Sequence, residues 1–474
     1  MRLAYGFLAA TILLSSCGSK ETNRQTGTNR QNSSESQSET DRQSSPREPD
    51  QEQPAPSPRA VLAPAIDEQA PPGLNHPTTG DDEELEGLDL DTPIGSLRLD
   101  PAQRRRAPSG SCVALSSPGA RIWPSDNMAR ETRGASAVRA LGSAFVVAGY
   151  AKGAHGPQVF VVRVSPEGQS RPLFSAPLAP AAAPQRMRLP RVPPGLATLG
   201  SDTVLISWVD GARVRAARVA ASGRAQIIEI GEGADQRFSP AVALHARGGL
   251  VAYTDGTGTP MRVRLAQLTL EGGVASRTDV TPQGLGAAAP TFAAGTNTMP
   301  ELYFLEPRSG TSALYRVRFD ADLTPNRAAV VRPIASVYEP PRIAVVASTP
   351  SVVAYTALGN AATTAVGLVP LGDASAPPVA LLPGSAFGVL GLDAAALPGA
   401  AVFAFDTQPP ASGAANGSDS WHKVRVRVAG ASAEPLTLGT MSDTPSIAAG
   451  SDGLVALSYS APGGVYLSWL SCTP

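Results

Sequence analysis

A unit of about fifty residues recurs from residue 111 to the C-terminus, and this periodicity limits the fold more than any other feature of the chain. Each unit opens with a Pro-x-apolar segment, passes through Gly or Asp, and enters a short apolar strand carrying an aromatic residue. The apolar strands fall at 145–150, 204–209, 250–254, 302–305, 352–356, 401–405 and 454–459. Strands that alternate apolar and polar residues follow them, as at 159–164, 214–219 and 424–428. The leading segments are Pro190-Arg191-Val192, Pro240-Ala241-Val242, Pro290-Thr291-Phe292, Pro341-Arg342-Ile343 and Pro445-Ser446-Ile447. Period-two alternation bounded by turn residues marks half-buried antiparallel strands. No stretch here sustains a helical period, so the region is expected to be all-β.

Seven such units, each long enough for four strands, resemble the blades of a seven-bladed β-propeller, although the WD and Kelch signatures are missing. A pair of stacked β-sandwiches is the structural alternative, and the even spacing counts against it. The resemblance implies a ring that must be closed. The seventh unit ends after its third strand, at 465–470, and Cys112-Val113-Ala114-Leu115 can supply the missing fourth. Cys112 and Cys472 stand at the two ends of the domain, and a disulfide between them is expected to clasp the ring. The alternative is two buried free thiols. Trp208, Tyr253, Phe304, Tyr355 and Phe405 recur within the units and are expected between blades.

The first residues carry a different signal. Met1-Arg2 precedes an apolar run from Leu3 to Leu14, and Leu14-Ser15-Ser16-Cys17 then resembles the lipobox of bacterial lipoproteins. The resemblance implies a signal peptide over 1–16 and a diacylglycerol thioether on Cys17. It further implies acylation of the new N-terminus, with palmitate among such chains. Two or three chains on one residue would make a lasting membrane anchor. Gly18 and Ser19 lack the Asp that favours inner-membrane retention, so a cell-envelope site at the outer membrane is expected. Residues 17–110 are rich in Ser, Gln, Asn, Thr, Glu, Arg and Pro and read as the lipidated N-terminus and a long disordered tether to a domain at 111–474. Within the tether, 81–91 alternates acids with leucines and the pattern continues to Ile94, Leu97 and Leu99, before Arg104-Arg105-Arg106. Such a segment either folds on a partner or is solvated, its leucines resting against the domain.

Few residues point to chemistry. The four histidines, His76, His155, His245 and His422, form no metal-spaced pair, and neither metal nor other cofactor is expected. No nucleophile elbow, phosphate loop or paired-carboxylate motif is present. Asp210, Asp255 and Asp406 close apolar strands and read as turn residues accepting backbone N–H bonds. Asn416-Gly417-Ser418-Asp419-Ser420-Trp421 echoes the Asp-box turn of propeller sialidases, but once and without the glycine after Asp. If the Pro-x-apolar segments are innermost strands, Arg191 and Arg342 face the channel mouth, where paired guanidiniums could bind an anionic group; the commoner fate of such residues is a solvated rim.

The formal net charge is −1, which argues against nucleic acid. The sequence therefore leads to a membrane-anchored, monomeric, non-enzymatic binding or scaffold module that holds a protein or glycan partner on one propeller face. The alternatives are a glycan-processing propeller enzyme and a structural subunit of an envelope complex recruited through the acidic-leucine segment.

Overall fold

The computed structural model describes Leu99 and residues 106–474, except 117–118, 124–133, 154–155, 180–188, 296–298, 308–310, 336–339, 350, 359–363, 374, 387–388, 390, 408–421, 439–441 and 462–463. Cys17, the acidic-leucine run at 81–91, His76, His155 and the sequence 416–421 lie outside the described residues.

Seven antiparallel sheets make up the domain. Six are four-stranded meanders in chain order, spanning 136–177, 195–232, 241–279, 288–335, 343–386 and 392–438, here blades 1 to 6. Their first strands lie innermost: Ser136–Leu141, Gly195–Leu199, Ala241–His245, Ala288–Phe292, Ile343–Val346 and Leu392–Leu397. The seventh blade takes Asp443–Ala449, Leu454–Ala461 and Gly464–Thr473 from the C-terminus. Its outer strand comes from the N-terminal end of the domain, as Ser111–Ala114 and Ala120–Trp123, both paired with Gly464–Thr473. Each inner strand touches the next, and that of blade 7 touches that of blade 1. The chain is a closed seven-bladed β-propeller.

The strands form where they do because branched and aromatic residues suit a pleated surface buried on both faces. The second strand of blade 3, Gly248–Asp255, is buried along its whole length, as is that of blade 6, Ala400–Thr407. Seven apolar clusters straddle the seven seams. Trp208, Phe304, Tyr355 and Phe405 are essentially without exposure and Tyr253 nearly so, which places the recurring aromatics between blades. Burying each large apolar side chain is worth about 1.5–3 kcal/mol, so the core is spread around the ring instead of gathered at one centre.

The closing seam has two further fastenings. Cys112 and Cys472 are direct cross-strand partners and are joined as a disulfide, with Cα atoms 4.1 Å apart. On the other side of blade 7, Phe145 packs on Trp469 with ring centroids 5.2 Å apart. Buried hydroxyls add to it: Ser446 Oγ accepts from Val138 N at 3.0 Å, and Ser136 Oγ donates to Ser458 Oγ at 3.2 Å.

Candidate functional site

The seven inner strands surround a channel of about 510 Å³. Its wall is made mainly of Ala, Gly, Pro, Val, Leu and Thr, because each inner strand turns its unpaired edge to the axis and small side chains leave room there. Proline suits such an edge, having no N–H to leave unsatisfied. Pro240, Pro290, Pro341 and Pro445 line the channel near the face where the inner strands begin, called here the upper face. At two of them the chain is strained. Ala289 and Thr444, each just before a proline, have φ of 55° and 48°, and the ladder slips a register at both places. A left-handed conformation is unusual for alanine and an outlier for β-branched threonine.

Among the described lining residues the charged ones are Arg139, Arg342 and Asp393. Arg139 Nη1 donates to Asp393 Oδ2 at 2.9 Å, joining blades 1 and 6. The same oxygen accepts from Ser446 Oγ at 2.5 Å and from Ile447 N at 3.1 Å, both in blade 7. Asp393 Oδ1 accepts from Ala394 N at 2.9 Å. Asp393 therefore serves as a cap for free strand-edge donors, while the Arg139 side chain keeps 36% of its surface exposed.

Arg342 stands on the inner strand side of blade 5, partly buried, its backbone N donating to Thr356 Oγ1 at 2.9 Å and its Nη1 to Pro341 O at 3.1 Å. Burial lowers its pKa from the usual 12.5 to about 10, opposed by the negative charge of Asp406. Asp406 is wholly buried. Its Oδ1 accepts from Gly391 N at 2.9 Å, its Oδ2 from Thr444 N at 3.2 Å, and His422 Nδ1 lies 3.4 Å from Oδ2. Asp406 so ties blades 6 and 7 beside the mouth and supplies the counter-charge for a cation of blade 5. Gly391 is required at this junction: a Cβ there would come 2.7 Å from Thr444 Cα.

The two arginines expected at the mouth are not brought together. Arg342 lines the channel and Arg191 does not. Arg191 is exposed because Pro193 and Pro194 follow it, so the blade 2 inner strand starts only at Gly195 and the proline nearest its start is Pro194. Sequence reading also missed Arg139, Asp393 and the role of Ser446. A signal was present: blades 1 and 6 are the units whose inner strands lack the leading proline, and they carry the charged pair. The acids read as turn residues divide. Asp255 does cap its own turn, accepting from Thr257 N at 2.9 Å. Asp210 instead accepts from Ala179 N at 2.6 Å, after the last strand of blade 1, and Asp406 reaches blade 7.

No family of known proteins matches the sequence, and no curated protein resembles it significantly. Solved structures do resemble the fold. The BP39L lectin from Burkholderia pseudomallei is 14% identical, with 71% of this chain and 98% of that one covered and a TM-score of 0.46. The polysaccharide lyase Uly1 is 11% identical over 58% of this chain and 89% of that one, with a TM-score of 0.36. Trypanosoma rangeli sialidase is 8% identical over 77% of this chain and 57% of that one, with a TM-score of 0.35. Likeness this distant says nothing of ligand or activity, and the fold rests on the sheet order given above.

Proposed function

We propose that this chain is a lipid-anchored protein of the cell envelope, held at the outer membrane through Cys17, whose propeller is a non-enzymatic binding module. It takes an anionic or acceptor-rich group of a protein or glycan partner at the upper mouth of the channel. One observation carries the reading. The channel is lined by arginines from two blades, Arg342 just before the blade 5 inner strand and Arg139 within that of blade 1, in a wall made mostly of small apolar residues. Guanidinium forks recognise carboxylate, phosphate and sulfate geometry, and a site partly shielded from water strengthens them. The carboxylate among the described lining residues, Asp393, is already held by four donors from three blades. Glycoside hydrolysis ordinarily needs a pair of carboxylates at a set separation, so the mouth suits holding better than cutting.

A photo-crosslinking residue in place of Ser239, which lines the channel just before the blade 3 inner strand begins, tests this in cells producing the intact protein. A discrete adduct is expected from that position, but not from Val330 on the outer rim, which is 57% exposed. Arg342→Met is expected to abolish it. Adducts of equal yield from both positions would refute the mouth as the site. Labelled palmitate should enter the wild-type protein and not Cys17→Ser; equal labelling would remove the anchor.

A further inference from the structure

We propose that the acidic-leucine segment 81–91 docks on the propeller itself, on an arginine strip formed by Arg163 and Arg171 of blade 1 and Arg224 of blade 2. The site is distinct from the channel mouth, on the lower face where third strands turn into fourth.

Three observations lead there. The first is the strip. Arg163 and Arg171 are direct partners across the ladder between Gly156–Val164 and Ser170–Pro177, so two like charges face each other on one side of the sheet. Such pairs destabilise a sheet unless an anion lies between them. Among the described residues neither side chain has a carboxylate partner or a hydrogen bond. Arg163 is in phase with Val161, which packs into the blade 1–2 seam, so the pair faces blade 2. There the turn bearing exposed Arg224 abuts the outer strand of blade 1: a Cβ on Gly223 would lie 3.6 Å from Leu173 O. Glu167 and Asp202 are nearby, both exposed and outside any ion pair.

The second is where the chain arrives. Leu99 N donates to Pro166 O at 2.9 Å, and the Leu99 side chain, 6% exposed, is buried in the blade 7–1 seam. Pro166 lies in the turn joining the strands of Arg163 and Arg171. Residues 92–98 separate that anchor from the segment and can span about 25 Å when extended, more than the roughly 10 Å between packed sheets. The chain need only pass under one blade.

The third is charge. Residues 81–91 hold seven acids, Asp81, Asp82, Glu83, Glu84, Glu86, Asp89 and Asp91, with Leu85, Leu88 and Leu90 between them. Tethering by a short linker gives the segment a millimolar effective concentration at the strip, which no free acidic peptide would match.

Hydrogen exchange of the full chain tests the proposal. At roughly 20 mM salt the amides of 81–91 are expected to exchange about tenfold more slowly than a free chain, and at roughly 500 mM salt to reach the free rate, since screening weakens exposed charge pairs. The triple variant Arg163→Gln/Arg171→Gln/Arg224→Gln should lose the protection at low salt, and the triple Arg→Lys variant should keep most of it. Free-chain exchange in the wild type, or protection indifferent to both salt and the glutamine variant, overturns the proposal. So does protection of 163–171 by anionic lipid vesicles while 81–91 exchanges freely, which would assign the strip to a membrane.

Discussion

At the scale of single residues, the most consequential is Asp406, the buried acid of blade 6. Its two oxygens hold N–H groups of Gly391 and Thr444, and its charge offsets that of Arg342. Removing one partner of a buried pair costs about 3–5 kcal/mol, much of it from the charge left uncompensated. Asp406→Ala is therefore expected to destabilise by that amount in urea unfolding. Adding Arg342→Met should recover part of the loss, so that the cycle gives a coupling above about 1 kcal/mol. Additive effects would mean that the two groups do not sense each other. Asp235 gives a prediction of the opposite exposure. The guanidinium of Arg237 forks onto it, with Nη2 2.6 Å from Oδ2 and Nε 3.0 Å from Oδ1, and holds the carboxyl below its ordinary 3.8. A lowered acid pKa stabilises the fold above the ordinary value, and the contribution fades as pH falls through the folded value. Asp235→Asn should reduce the loss of stability between roughly pH 5 and pH 2; an unchanged slope would show the pair to be idle.

At the scale of elements, blades are stitched to their neighbours at the rim by arginines bound to carbonyl groups. Arg332, in the outer strand of blade 4 and 5% exposed, donates to Pro370 O at 3.0 Å, Asp373 O at 3.1 Å and Ala376 O at 2.7 Å in blade 5. Arg277 of blade 3 reaches Ile230 O of blade 2 at 2.6 Å in the same way. Arg332→Ala should cost about 1–3 kcal/mol, the penalty of orphaned buried acceptors, with faster amide exchange in 371–378. Lysine, lacking the planar fork, should not restore it. Such stitches were illegible in the sequence, since nothing at residue 332 distinguishes a rim arginine from a solvated one. The strands themselves were legible, because an apolar run such as 204–209 followed by the alternating 214–219 admits few other placements. Blade 2 shows the limit. Pro190-Arg191-Val192 reads as its leading segment, but Pro193 and Pro194 follow and the inner strand starts at Gly195, where a side chain would strike the Pro240 carbonyl. Arg139 and Asp393 were hidden for a related reason: they sit where the repeat departs from its own pattern.

At the scale of the whole molecule, the expected fourth strand of the last blade is supplied by Cys112 to Ala114, opposite Cys472 to Leu470. The structure adds a second piece, Ala120–Trp123, on the same strand. The disulfide closes a loop of 360 residues, for which chain entropy alone gives about 5 kcal/mol as an upper figure. Cys112→Ser/Cys472→Ser is expected to lower the unfolding midpoint, with early exchange confined to 111–123 and 464–473. Reductant should do the same to the wild type and leave the double variant unaffected. A midpoint unmoved in both would show that the strands hold the ring unaided.

Because residues near each end of the domain share one sheet, synthesis imposes a timetable on this molecule. A nascent chain can finish six blades while the first-made strand of the domain still lacks its partner, and Cys112 waits as a thiol until Cys472 has been made. The check on a closed ring is thus built into the last-made strand of the domain: a chain cut short before Gly464 yields a ring that never locks.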